Sequence, residues 1–202
     1  MAEKPILFST AMVLAILNDD KAMTRRILKP QPNFPDFFGI CIDSVDNRDI
    51  GKAGFGDEEH LKVGALVRLP YNVGDKLWVR ETWCKNENPK SDNFEKFEYR
   101  ADYEGAECQD LITWKPSIFM PKEAARIWLE VTDARVERLQ DITAEDIRRE
   151  GMTSAAAHVG DMEIASQEWA LFWDSFNAKR GYGWNTNPWV EVVTFKRTEV
   201  SP

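Results

Sequence analysis

Near the N-terminus the apolar positions follow a helical beat and then stop. Met12, Val13, Ile16 and Leu17 share one face of a helix that Ser9 or Thr10 can cap, and Asn18-Asp19-Asp20 ends it. Thr24–Leu28 reads as a short strand, stopped by Pro30 and Pro32. Residues 31–70 are rich in Pro, Gly and Asp with little periodicity, and read as a loop-rich insertion holding one short hairpin. The clearest alternation is YNVGDKLWVRETW (71–83): Gly74-Asp75 turns, Leu77, Val79, Glu81 and Trp83 point one way, and Trp78, Arg80 and Thr82 point the other. Tyr99–Asp102 is a weaker strand, and WKPSIFMP (114–121) is extended and broken by two prolines. RIWLEVTDARVERL (126–139) predicts a long strand with Ile127, Leu129 and Val131 on one face. Thr143-Ala144-Glu145-Asp146 opens a short helix in the manner of a capping box, and Gly151 ends it. A longer helix carries Trp169, Phe172, Trp173 and Phe176 at helical spacing, stops at Gly181, and is followed by a closing strand in NPWVEVVTFKR (187–197).

The strands lack regular crossover helices, so a doubly wound parallel sheet is not expected. The order fits an α+β fold, a small closed or nearly closed mixed β-barrel with helices packed around it, as a single domain over residues 1–202. Composition is that of a globular protein, 43% hydrophobic and 30% charged over 202 residues. No apolar run approaches the length of a membrane span, and Met1-Ala2-Glu3-Lys4-Pro5 lacks a signal-peptide core, so a cytoplasmic location is expected. Cys41, Cys84 and Cys108 are too widely spaced for a disulfide framework or zinc knuckle, and His60 and His158 lie far apart, so neither metal nor cofactor is expected. A phosphate loop, a G-x-S-x-G elbow and an H-E-x-x-H pair are all missing.

A net charge of −8 argues against a protein that coats duplex DNA. The charge is uneven, however. Residues 21–29 hold Lys21, Arg25, Arg26 and Lys29 and no acid, whereas residues 141–176 are strongly acidic. A local positive site on a negative body suits a small anionic ligand or a short single strand. Lys21 and Thr24 offer a nucleophile route: a hydroxyl needs a base to take its proton, and a lysine serves as that base when burial and neighbouring cations lower its pKa. Arg25 and Arg26 are such neighbours, and they are also candidates to bind phosphate or an oxyanion. The alternative is that Lys21 and Thr24 are ordinary exposed residues. Glu150 closes the short helix, where the macrodipole disfavours a negative charge, and is a second candidate for acid–base work. Glu81 is either a buried carboxylate that needs a cation or a surface residue, since parity alone does not choose a face. Trp78, Trp83, Trp114, Trp184 and Trp189 are candidate stacking platforms for a base, with Trp184 and Trp189 equally readable as staples of the last strand to the core, and Arg80 lies near Trp78.

Lys21-x-x-Thr24-x-Arg26, VGDKLWVRETW, LEVTDARVERLQDIT, a helix closing on EGM, and PWVEVVTFKR follow one another in an order that resembles the ASCH domain superfamily. With WKPSIFMP and NPWV included, the chain is similar to the longer phage and prophage members. The resemblance implies a PUA-like β-barrel. It also implies RNA binding or, as in small members that deacetylate N4-acetylcytidine, an amidohydrolase whose base, nucleophile and proton donor fall on Lys21, Thr24 and Glu150. The implied partner is a nucleoside or single-stranded RNA, handled by catalysis or by a non-catalytic binding module. A host protein partner is a further alternative. The small enzymes have Gly-Arg before the lysine and Thr after it, whereas here Asp19-Asp20 precede Lys21 and Ala22 follows.

Overall fold

The computed structural model describes residues 2–41, 46–59, 62–86, 96–107 and 109–198; His60 and Cys108 lie outside them. Along the chain run β1 (Glu3–Leu7), α1 (Thr10–Leu17), β2 (Met23–Ile27), β3 (Asp36–Ile40), β4 (Lys52–Asp57), β5 (Lys62–Arg68), β6 (Lys76–Arg80), β7 (Trp83–Lys85), β8 (Phe97–Tyr99), β9 (Trp128–Arg138), α2 (Ala144–Arg149), α3 (Ala155–Val159), α4 (Met162–Asn177) and β10 (Trp189–Thr198). They form two compact units. The first comprises Met1–Lys21, Gly74–Glu130 and Lys196–Pro202, and the second Ala22–Val73 and Val131–Phe195. The mixed α+β class agrees with the sequence reading.

In the first unit β1 pairs with β6 in parallel, and β6 pairs antiparallel with the start of β9. Ile6, Leu77, Val79 and Leu129 are fully buried on one face of this sheet, as the alternation in KLWVR requires. The Ser9 side chain caps α1 by accepting the Met12 N–H, and Val13 and Ile16 turn inward. The β7–β8 hairpin holds a small cluster of Trp83, Phe97, Tyr99, Met120 and Ala124.

In the second unit β10 lies between β9 and β2, and β2 pairs with it antiparallel. One face packs on α2, α3 and α4 through Met23, Val190, Val192, Ile147, Trp169 and Trp173. The opposite face packs on β3-β4-β5 through Leu28, Phe55, Val67, Val136 and Trp189. Asp161 caps α4, whose buried positions Ala165, Trp169, Trp173 and Asn177 recur every fourth residue. That register leaves Phe176, the last aromatic of the helical stripe, 50% exposed.

Two expectations are corrected. The strands do not close into a barrel, because β2 is the last strand of its sheet and its free side meets the end of α2, where the Ala22 N–H donates to the Arg149 carbonyl at 2.8 Å. Residues 31–70 carry three antiparallel strands rather than one hairpin. Glycines interrupt their alternation for packing reasons: the Phe34 ring lies directly on Gly64, where a Cβ would collide with it.

Candidate functional site

MTRRI (23–27) sends its side chains alternately to two environments, so the consecutive arginines part company. Arg25 turns toward the helices. Its guanidinium is completely buried and meets Glu137 at 2.5 Å, Asp146 at 2.8 Å and Glu150 at 3.4 Å. Arg135 joins the cluster through Glu137 at 2.9 Å and Asp146 at 3.2 Å. Arg25 is therefore engaged by three carboxylates and is not placed to receive an external anion, contrary to the sequence expectation.

Burial works against the Asp146 carboxylate, but Arg25, Arg135 and the Thr143 backbone N–H outweigh it and hold its carboxyl below the ordinary range. A depressed folded-state pKa contributes stability that is present above the unfolded value and lost as pH falls through the folded one. Thermal melts are therefore expected to show stability falling as pH drops below the usual aspartate range. Asp146→Asn should flatten that acid limb, and an unchanged limb would rule out Asp146 as its source.

Thr24 and Arg26 occupy the other face of β2. The register sets Arg26 opposite Glu191 and Thr24 opposite Val193. Thr24 is 3% exposed and Glu191 is fully buried. Glu191 accepts the Tyr71 N–H at 3.1 Å. Burial lowers the Arg26 pKa, while Tyr71, Glu150 and Glu191 favour its charge. A guanidinium keeps its proton in such surroundings, so Arg26 stands there as a fixed cation. Burial also raises the Tyr71 phenol, with Arg26 opposing and Glu191 adding to the shift. Glu150 is the C-cap of α2, is buried, and faces Arg25 directly while acting electrostatically on Arg26. The second unit thus sets Thr24 and Arg26 on one face of β2, with Glu191 and Tyr71 beside Arg26, while Glu150 contacts Arg25 from the helix side. The lone Glu in an otherwise apolar VEVV run was the one sequence signal for Glu191; nothing local marked Tyr71. A hydroxyl beside a cation steadied by carboxylates can hold an oxyanion or a phosphate and can accept an amide N–H.

Each remaining candidate has surroundings of its own. Lys21 belongs to the first unit, is 3% exposed, donates its backbone N–H to Ala15 at 3.0 Å, and holds its ammonium 5.7 Å from the Phe8 ring centroid. Glu81 is buried, which settles its parity, and Arg126 grips it at 2.9 and 3.0 Å. Burial raises the Glu81 carboxyl and Arg126 opposes the rise. Arg126 also binds Asp102 at 2.7 Å and lies 4.0 Å from the Tyr99 ring centroid, so Glu81 is a structural ion-pair partner rather than a ligand group. Trp189 is a core residue against Phe55 at 5.1 Å, with Arg138 4.1 Å from its ring centroid, and is corrected from stacking platform to staple. Trp184 packs on the α4 cluster, and its backbone N–H donates to Asp174 at 2.6 Å. Trp78 and Arg80 sit on the partly exposed side of β6, in the first unit. Among the described residues no group of three or more His, Cys, Asp or Glu is placed to hold a metal ion, and no helix is long and apolar enough to cross a membrane.

The second unit is a sheet carrying a buried, charge-balanced strand face between helices and a smaller sheet. Among solved structures the chain is similar to an ASCH domain from Lactobacillus crispatus JV V101, with a TM-score of 0.39 and 11% sequence identity over 97% of this chain and 79% of that one. No family model matches the chain, and no curated protein does.

Proposed function

We propose that this protein binds a modified nucleoside or RNA at the Thr24–Arg26 face of β2 and hydrolyses the acyl amide of N4-acetylcytidine-type compounds. The observation that carries the reading is the buried Thr24 hydroxyl on the same strand face as the Arg26 guanidinium, with Glu150 and Glu191 acting on that guanidinium. The sequence resemblance supplies the roles. It implies Thr24 as nucleophile and Lys21 as base: the Thr24 Oγ bonds to the acyl carbon as its proton is taken by a base. Arg26 is suited to stabilise the tetrahedral oxyanion. Collapse breaks the bond from carbon to N4, the departing amine takes a proton, and water then hydrolyses the threonyl ester to release acetate. Glu150 donates the proton or steadies the transition state.

Incubating the purified protein with N4-acetylcytidine and following the products by chromatography tests this reading. Cytidine and acetate should appear together in equal amounts. No release at any pH, including the alkaline end where a lysine loses its proton, would reject the amidohydrolase and leave a binding module, which a titration with the same nucleoside would detect.

A further inference from the structure

The first unit has a second surface that the Thr24 face does not use. Buried Ile6, Leu77, Val79 and Leu129 take one side of β1, β6 and the start of β9, so their neighbours emerge on the other. The register sets Trp78 directly across from Trp128, Pro5 beside Trp78, and Leu7 beside Arg80. Leu7 is 39% exposed, and both tryptophans are partly exposed. A cation lies over each ring: Arg80 5.4 Å from the Trp78 centroid and Lys122 5.4 Å from that of Trp128. Lys122 pairs with Glu3, and Lys196 pairs with Glu130 at 3.2 Å. Among the described residues no carboxylate pairs with Arg80, and its Nε has no hydrogen-bond partner. Counting Lys76, Arg80, Lys122 and Lys196 against Glu3 and Glu130, the face is cationic on a chain whose net charge is −8.

We infer that this face binds single-stranded RNA. Two indoles opposite each other on neighbouring strands offer stacking area that every base can use, and the cations held over them match a backbone of phosphates. A duplex hides its bases, and a neutral apolar partner would leave the Arg80 charge unanswered. The choice of RNA over other polyanions rests on the nucleoside reading above. The chemistry is separate, because stacking here involves no bond change.

The test is fluorescence anisotropy with a labelled oligouridylate of about ten nucleotides at low ionic strength. The unmodified protein should bind. Trp78→Ala combined with Trp128→Ala should weaken binding about tenfold or more, with the thermal melt as a check on folding. Unchanged affinity in a folded double variant overturns the proposal. So does a protein that binds no oligonucleotide but self-associates through the same two tryptophans. If the double variant does not fold, Arg80→Gln with Lys122→Gln decides. Removing two phosphate contacts should reduce the slope of log affinity against log salt by about 1.4, and an unaltered slope overturns the proposal. The two readings fail separately. A protein that releases cytidine yet ignores the oligonucleotide defeats this inference alone, and one inert to the nucleoside that binds RNA through Trp78 and Trp128 defeats only the hydrolase.

Discussion

Replacing Arg25 by methionine is expected to lower the unfolding free energy by about 3–5 kcal/mol, the usual cost of removing one partner from a buried ion pair. The side chain is fully buried, and Glu137, Asp146 and Glu150 converge on it from β9, from the first turn of α2 and from the C-cap of α2. Without it, Arg135 alone would neutralise Glu137 and Asp146 from a more exposed position, and Glu150 would lose a direct partner. Methionine fills much of the volume, so the loss is electrostatic rather than a cavity effect. A loss of that size is a large part of a domain's stability. The variant should also be relieved by acid, because protonating the stranded carboxylates removes their charge, which is the reverse of the acid limb expected of the unmodified protein. Urea denaturation at neutral and mildly acid pH measures both effects. A neutral-pH loss below about 1 kcal/mol would show that the three carboxylates do not depend on Arg25.

Arg25 and Arg26 show where a sequence reading stops. Alternation along MTRRI says that neighbouring side chains leave on opposite faces, but not which face meets carboxylates. The acids that hold Arg25 lie 112 to 125 residues away, beyond the reach of any local pattern. Glu81 is a similar case. Its parity with Leu77 and Val79 was plain, yet Arg126 follows 45 residues later and no spacing rule joins them. What the chain did disclose rests on strong local physics. KLWVR alternates cleanly, the Thr143–Asp146 capping box is reciprocal, and Trp169 and Trp173 sit one helical turn apart. β3, β4 and β5 were hidden because Gly39, Gly54, Gly56 and Gly64 break their alternation, and because the aromatic cluster that fixes them draws on Trp189, far along the chain. The barrel expectation failed at one edge, where α2 ends against β2. Trp189 failed as a platform for a related reason, since a ring at a strand start is as useful to the core as to a ligand.

Thr24→Ala carries the largest effect expected on function. On the amidohydrolase reading, turnover of N4-acetylcytidine should fall at least about a thousandfold, because a nucleophile contributes only when bonds change. The dissociation constant should move by less than about tenfold, roughly 1.4 kcal/mol, since Arg26, Glu150 and Glu191 remain in place to hold the ligand. Thr24 is nearly buried opposite Val193, so the methyl of alanine is tolerated there and the fold should survive. Thr24→Ser restores a hydroxyl at the same Cβ and should recover much of the lost turnover, which a purely structural threonine would not require. Lys21→Ala should resemble Thr24→Ala in turnover, and its defect should shrink as pH rises and hydroxide substitutes for the missing base. Single-turnover product release measured beside equilibrium binding of the same nucleoside separates the outcomes. If Thr24→Ala keeps turnover within about tenfold of the unmodified protein, Thr24 is not the nucleophile, whatever else the site binds. If it instead weakens binding and turnover in equal proportion, the hydroxyl is a ligand contact, and the β2 face would be a recognition surface in which Arg26 rather than Thr24 is the residue that matters most.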